Sequence, residues 1–239
     1  IVGISDTFRF GLVAAVIGFA VVSSTHIRFV KILSISSTWL FFALIVGVWF
    51  ASGMGLGGLA GSAINLGDYF TNIHRFVLPI TDYHQFYLFW WFAWSIMIGQ
   101  FVARFVGGLK AWQLLLALIV VPSIPIGIWF SVLYYYYEYG LPMSDFWRLC
   151  MVAVGVIFVA NSLDSLIRLY TQNLNLTIQR LGVAPYLAGN WLALFSLVLL
   201  YQFTPLKIEW VGLVVIGIYG AVYVLTFNRR ERLINPSRG

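Results

Sequence analysis

Three tryptophans, Trp90, Trp91 and Trp94, stand close together in the run from Phe86 to Ser95. Each residue turns a helix by about 100°, so the three indoles fall within one third of the circumference. The face of an indole attracts a cation electrostatically, and several such faces on one stripe make a wall suited to a quaternary ammonium group. The same stripe could serve packing and an aromatic belt at a membrane surface. Trp94, however, lies about 12 Å into its apolar run at about 1.5 Å per residue, deeper than a belt usually reaches.

The remaining chemistry-bearing residues are few. Asp164 is the acid expected deepest within an apolar segment, and Arg168 follows it at the i+4 spacing of a local helical ion pair. His26, His74 and His84 fall between apolar runs without ligand spacing, so a metal centre is not expected. Cys150 is the single cysteine and can form no disulfide within the chain. There is no glycine-rich phosphate loop leading from a strand into a helix, and no nucleophile beside a base, so the sequence does not read as an enzyme. The glycines between Gly53 and Gly58 read as a turn after a span.

The elements that must position these residues are membrane helices. Hydrophobic residues make up 61% of the chain and charged residues 9%, and the mean hydropathy is +0.91. So few charges cannot cover a soluble domain, and the solvent for most of the chain is lipid. A bilayer core needs about 20 apolar residues in helical form. Seven segments qualify, at residues 8–25, 32–52, 86–105, 111–135, 147–170, 187–203 and 211–227. No segment alternates with a period of two, which argues against a barrel. Residues 64–74 place Leu66, Tyr69, Phe70 and Ile73 at helical spacing, as for a helix lying in the interface. The tyrosines from Tyr134 to Tyr139 read as an aromatic belt.

The formal charge of +6 reads as loop lysine and arginine rather than as a surface for nucleic acid. With the first residue outside, ten of the fourteen basic residues face the cytoplasm, among them Arg28, Lys31, Arg104, Lys110, Arg168 and Arg180. The tail arginines Arg229, Arg230, Arg232 and Arg238 complete that set and could touch anionic lipid. Residue 1 is Ile, and Asp6, His26, Arg28 and Lys31 do not suit a signal peptide. Further sequence upstream is therefore expected.

At several motifs the chain resembles the betaine/choline/carnitine transporter family. Its signature helix has a Tyr-Trp-x-Trp-Trp-x-x-Trp core and a Gly-x-Phe-x-Ala-Arg exit, similar to Tyr87, Trp90, Trp91 and Trp94 and then Gly99, Phe101, Ala103 and Arg104. Val120 to Pro122 and Trp129 to Ser131 resemble the following helix, and Leu66 to Tyr69 with Asn72 resembles a Leu-Gly-Asp-Tyr-x-x-Asn motif. Phe158 to Ser165 is similar to a Phe-x-x-Thr-Ser-Ala-Asp-Ser motif. Here Leu88 stands for a tryptophan, Ile96 for a proline and Asn161 for the threonine. The motifs cover about residues 20–170, and the last two spans match by position.

The resemblance implies a leucine-transporter-type fold of two inverted five-helix repeats with the site between them. Spans three to seven would be the second repeat, and spans one and two the end of the first. The broken helix and the second aromatic helix of the first repeat have no counterpart in this sequence. The resemblance implies substrate binding by Trp90, Trp91 and Trp94, and a sodium site involving Phe158, Asn161 and Ser162, whose oxygens suit a hard cation. An interhelical hydrogen bond is the competing reading for Asn161 and Ser162. It further implies a bacterial inner membrane, possible homo-oligomers, and missing helices or other membrane chains as partners. Two functions follow: an ion-coupled transporter of quaternary ammonium compounds, or a transport-inactive subunit of a larger membrane complex.

Overall fold

The computed structural model describes residues 5–76, 82–105, 107–205 and 207–228. The tail arginines Arg229, Arg230, Arg232 and Arg238 lie outside these residues. The described residues form α1 (Asp6–Ser23), α2 (Ile27–Ala51), α3 (Leu56–Thr71), α4 (Asp82–Phe105), α5 (Ala111–Glu138), α6 (Asp145–Asn173), α7 (Ile178–Leu181), α8 (Val183–Phe203) and α9 (Ile208–Asn228). A short 3-10 turn, Ile73–Phe76, follows α3. The protein is an all-α integral membrane protein, and α1, α2, α5, α6, α8 and α9 are long and apolar enough to cross a bilayer. The tryptophan-bearing α4 has 24 residues, about 36 Å of helix at about 1.5 Å per residue.

Local sequence explains where two of the spans begin. The Ser5 side chain caps α1 by accepting from the Phe8 N–H at 3.3 Å, and Ser144 caps α6 by accepting from the Trp147 N–H at 3.5 Å. In both, an aspartate follows the cap and pairs with an arginine three residues on, Asp6 with Arg9 and Asp145 with Arg148, each at 3.1 Å. The carboxylate sits at the positive end of the helix dipole, while the cap satisfies a backbone donor that lipid could not.

The chain divides into two compact units, the first made of residues 1–72 and 108–199, the second of residues 73–107 and 200–239. In the first unit α6 is the hub, with α1 and α2 packed along it. Helices α1 and α6 run in the same direction, since Ser23 meets Asp164 and Ser24 meets Arg168 near the C-terminal part of both. Helix α2 runs the other way along α6, with Ser37 against Asn161 and Gly47 against Trp147. Helix α5 runs parallel to α2, pairing Phe41 with Trp129 and Val48 with Tyr136. This topology gathers Arg28, Lys31, Lys110, Arg168 and Arg180 towards one end of the unit and Asp6, Glu138 and Asp145 towards the other.

Two places differ from the expected boundaries. The turn after α2 is confined to Ser52–Gly55, where Gly53 takes a φ of 67°. Helix α3 then starts at Leu56, eight residues before the expected interfacial helix, and packs lengthwise on α5 rather than standing alone. The physical reason is side-chain size. Gly58, read in sequence as part of a turn, lies close to Tyr135, and Ala60, Ala63 and Gly67 help line a groove against Ser123 and Ser131 of α5. Small residues let membrane helices approach closely, where no hydrophobic force favours one apolar partner over lipid.

In the second unit α4 packs on α9. A Cβ added at Gly212 of α9 would lie 2.7 Å from the Phe89 backbone oxygen, so only glycine permits this approach. Across the same interface the Tyr219 hydroxyl donates to Ser95 Oγ at 2.9 Å. Gly212→Ala is expected to destabilise by about 1–3 kcal/mol through overpacking. Gly217→Ala, on the same helix with no atom near its added Cβ, should be neutral or slightly stabilising. Thermal unfolding of both variants in detergent tests this, and equal effects would refute the close packing.

Candidate functional site

The three tryptophans form one contiguous cluster on α4. Trp90 and Trp91 meet edge to face with ring centroids 5.1 Å apart, and Trp90 and Trp94 lie tilted at 5.8 Å. Phe89 and Ser95, which face α9, are about 120° apart on the helix wheel, so α9 covers the sector centred near Phe92. The tryptophan stripe is centred about 150° from that sector. It therefore points away from α9, with Trp90 and Trp94 half-buried and Trp91 57% exposed. The edge-to-face contact turns one ring face of the Trp90–Trp91 pair towards its neighbour. The cluster is thus a wall of indoles rather than a closed box.

The second set of expected residues is divided by the helix it shares. Phe158 packs edge-on against Phe41 of α2 at 5.7 Å, and the Asn161 amide donates to Ser37 Oγ at 3.5 Å. Phe158 also lines an apolar groove of about 900 Å³ with Phe41, Pro122, Pro125 and Trp129. Ser162, about 100° further round α6, is exposed and returns its hydroxyl to the Phe158 carbonyl at 3.0 Å. The structure therefore brings Phe158 and Asn161 to α2 and leaves Ser162 on another face. Asn161 Oδ1 is buried and has no hydrogen-bond partner among the described residues. A buried carbonyl oxygen in that state costs about 1–3 kcal/mol unless something else engages it.

The strongest polar assembly of the first unit lies one turn further along α6. Asp164 is fully buried at 0% exposure. Its Oδ2 accepts from the Ser23 hydroxyl at 2.8 Å and its Oδ1 from the Ser165 hydroxyl at 3.1 Å. Arg168 does not form the expected i,i+4 ion pair with Asp164. Its Nη1 donates instead to the Ser24 carbonyl at 3.1 Å, at the open end of α1, where the last turn leaves carbonyls without helical partners. Ser24 Oγ also meets the Tyr186 hydroxyl at 3.0 Å, and the Tyr170 hydroxyl donates to Asn190 Oδ1, which draws α8 into the network. The partners that α1 supplies to Asp164 and Arg168 lie 141 and 144 residues away in the chain, beyond the reach of any spacing rule. The one local hint was the pair Ser23–Ser24 at the end of an apolar run. Among the described residues no three His, Cys, Asp or Glu side chains come together as a metal site would require.

Comparison with known proteins bears on these sites. No family model matches the chain. A stretch of 100 residues is 32% identical to a glycine betaine/proline/choline transporter of Vibrio parahaemolyticus, covering 38% of this chain and 17% of that protein. A stretch of 114 residues is 31% identical to an uncharacterized transporter of Haemophilus influenzae, covering 43% of this chain and 17% of the relative. Glycine betaine transporter 1 of Vibrio parahaemolyticus is 29% identical over 90 residues, again 17% of its length. The matched stretches thus span about one sixth of these curated relatives. No solved structure matches. The protein is a helical membrane protein similar, over part of its length, to transporters.

Removing the Ser23 hydroxyl should leave Asp164 a donor short inside the bundle. Ser23→Ala is expected to cost about 1–3 kcal/mol, and Asp164→Leu, which orphans both serine hydroxyls but removes the buried carboxyl, is expected to cost no more than that. Melting temperatures in one detergent compare them. A larger loss for Asp164→Leu would show that the carboxylate does more than satisfy its two serines.

Proposed function

We propose that this chain forms part of a secondary transporter of the betaine/choline/carnitine type, carrying quaternary ammonium compounds. The observation that carries this reading is the indole wall of Trp90, Trp91 and Trp94, turned away from α9 and half open. Two of the relatives reported above are named for betaine transport, which supports the same substrate chemistry. A trimethylammonium group carries a diffuse charge that cannot donate hydrogen bonds, so ring quadrupoles in a desolvated site are its natural partners. The opposing wall belongs to the inverted-repeat partner that such a fold requires.

Coupling to sodium is part of the proposal. The unpartnered Asn161 Oδ1 supports it, because a hard cation prefers an oxygen of this kind. Ser162 would have to rotate its hydroxyl away from the Phe158 carbonyl to contribute. That orientation, and Asn161 bonded to Ser37, favour the second reading, a membrane subunit that keeps the scaffold without moving substrate. The end of the first unit holding Arg28, Lys31, Lys110, Arg168 and Arg180 is placed in the cytoplasm of a bacterial inner membrane on the same proposal.

Uptake of labelled betaine into proteoliposomes containing this chain with its native partners tests the readings. Trp91→Ala should raise KM about two- to thirty-fold, matching about 0.5–2 kcal/mol per ring. Unchanged uptake in a transport-competent preparation would defeat the cation–π role. Asn161→Leu should weaken the dependence on external sodium while preserving folding, and an unaltered sodium response would remove Asn161 from the coupling site.

A further inference from the structure

The first unit contains a second polar site that the transport reading does not use. The turn between α1 and α2, the end of α6, the segment entering α7 and Tyr186 of α8 line an open cavity of about 220 Å³. Ser24, His26, Arg168, Thr177, Gln179 and Tyr186 are among its lining residues, and among the described residues no carboxylate lines it. The volume is below the roughly 300–1,000 Å³ of sites that hold organic ligands of drug size. It suits a compact group.

The lining chemistry selects the charge of that group. A guanidinium has five N–H donors, and among the described hydrogen bonds Arg168 commits one, from Nη1 to the Ser24 carbonyl. The nearest acid along α6, Asp164, is held by Ser23 and Ser165 rather than by Arg168, so the fork is not neutralised by a close ion pair. Thr177 and Gln179 add a hydroxyl and an amide, and the Thr177 side chain makes no capping bond to α7. The first turn of the 25-residue α2 also borders the cavity, and its N-cap residue His26 makes no side-chain capping bond. This adds the positive end of a helix dipole to a charge already present. Arg28 and Lys31 follow within the same turn region, and Arg180 lies on α7.

The location matters as much as the lining. The cavity lies where α1 ends, α2 begins and α6 gives way to α7, so it is at the end of a membrane bundle. Basic pockets between helices at that depth meet the headgroup layer. We propose that this pocket binds a phosphate group, held by the Arg168 fork and by Thr177 and Gln179, whether carried on an anionic lipid headgroup or free in solution. Occupancy would clamp the α1–α2 turn to α6 and α7 through one shared anion. The site is independent of any transported substrate.

The full chain in neutral detergent tests this by thermal shift and by native mass spectrometry. Phosphatidylglycerol is titrated against phosphatidylcholine, and inorganic phosphate against chloride at equal ionic strength. A saturable rise in Tm with phosphatidylglycerol alone assigns the group to lipid, and a rise with inorganic phosphate assigns it to the free anion. Both support the site. Arg168→Gln should raise the apparent Kd at least tenfold. Because Arg168 also holds Ser24, Gln179→Glu provides the second variant, placing a negative charge on an exposed rim residue with no described hydrogen bond of its own. It should weaken binding at least as much. A saturable response unchanged in Gln179→Glu, or none with either ligand, overturns the proposal.

Discussion

A carboxyl group fully buried among lipid-spanning helices must find its hydrogen-bond donors inside the protein. Asp164 meets that requirement with one donor from its own helix and one from α1, the hydroxyls of Ser165 and Ser23. The long-range bond sets the register of α1 on α6. Once Ser23 is placed, Ser24 is within reach of Arg168, and the end of α1 gains a donor for a carbonyl that lipid could not serve. The same serine meets Tyr186, which ties the beginning of α8 to the end of α1. A one-turn slip of α1 would leave the carboxyl, the guanidinium and two hydroxyls without these partners, and each loss costs more in low dielectric than at a wet surface.

Where polar groups are absent, close approach replaces them. Gly47 accommodates the Trp147 ring, and Gly212 accommodates the Phe89 backbone, because an apolar surface has little to gain from leaving lipid for another apolar surface. Dispersion across a tight contact then supplies the preference. The first unit uses both devices, polar bonds where α1, α6 and α8 meet and glycine contact where α2 meets α6, while among the described residues glycine contact and a tyrosine–serine bond join α4 to α9.

The indole wall gains its meaning from the way α4 packs on α9. Because α9 takes the opposite sector of α4, the tryptophans are not consumed in packing against it. An exposed aromatic on a membrane helix can face lipid without cost, so openness alone does not make a site. What distinguishes this one is that Trp90 meets both Trp91 and Trp94 on one stripe, in a chain similar over part of its length to betaine transporters. Asn161 presents the opposite situation: an acceptor already buried, with nothing described to satisfy it.

Much of this was legible from residues in order. Composition and apolar length dictate membrane helices, and the spacing of Trp90, Trp91 and Trp94 dictates a shared stripe, since both depend only on local geometry and on the free energy of leaving water. The glycine-rich start of α3 was not legible, because whether small residues make a turn or a packing face depends on α5 lying beside them. Nor were the true partners of Asp164 and Arg168, or the separation of Ser162 from Asn161. Spacing offered Arg168 a neighbour on its own helix, but the fold brought a better acceptor from another. The sequence by itself determined the solvent, the helices and the stripe. Tertiary structure alone decided which polar groups meet, because in lipid each must be satisfied by whatever distant segment the packing delivers.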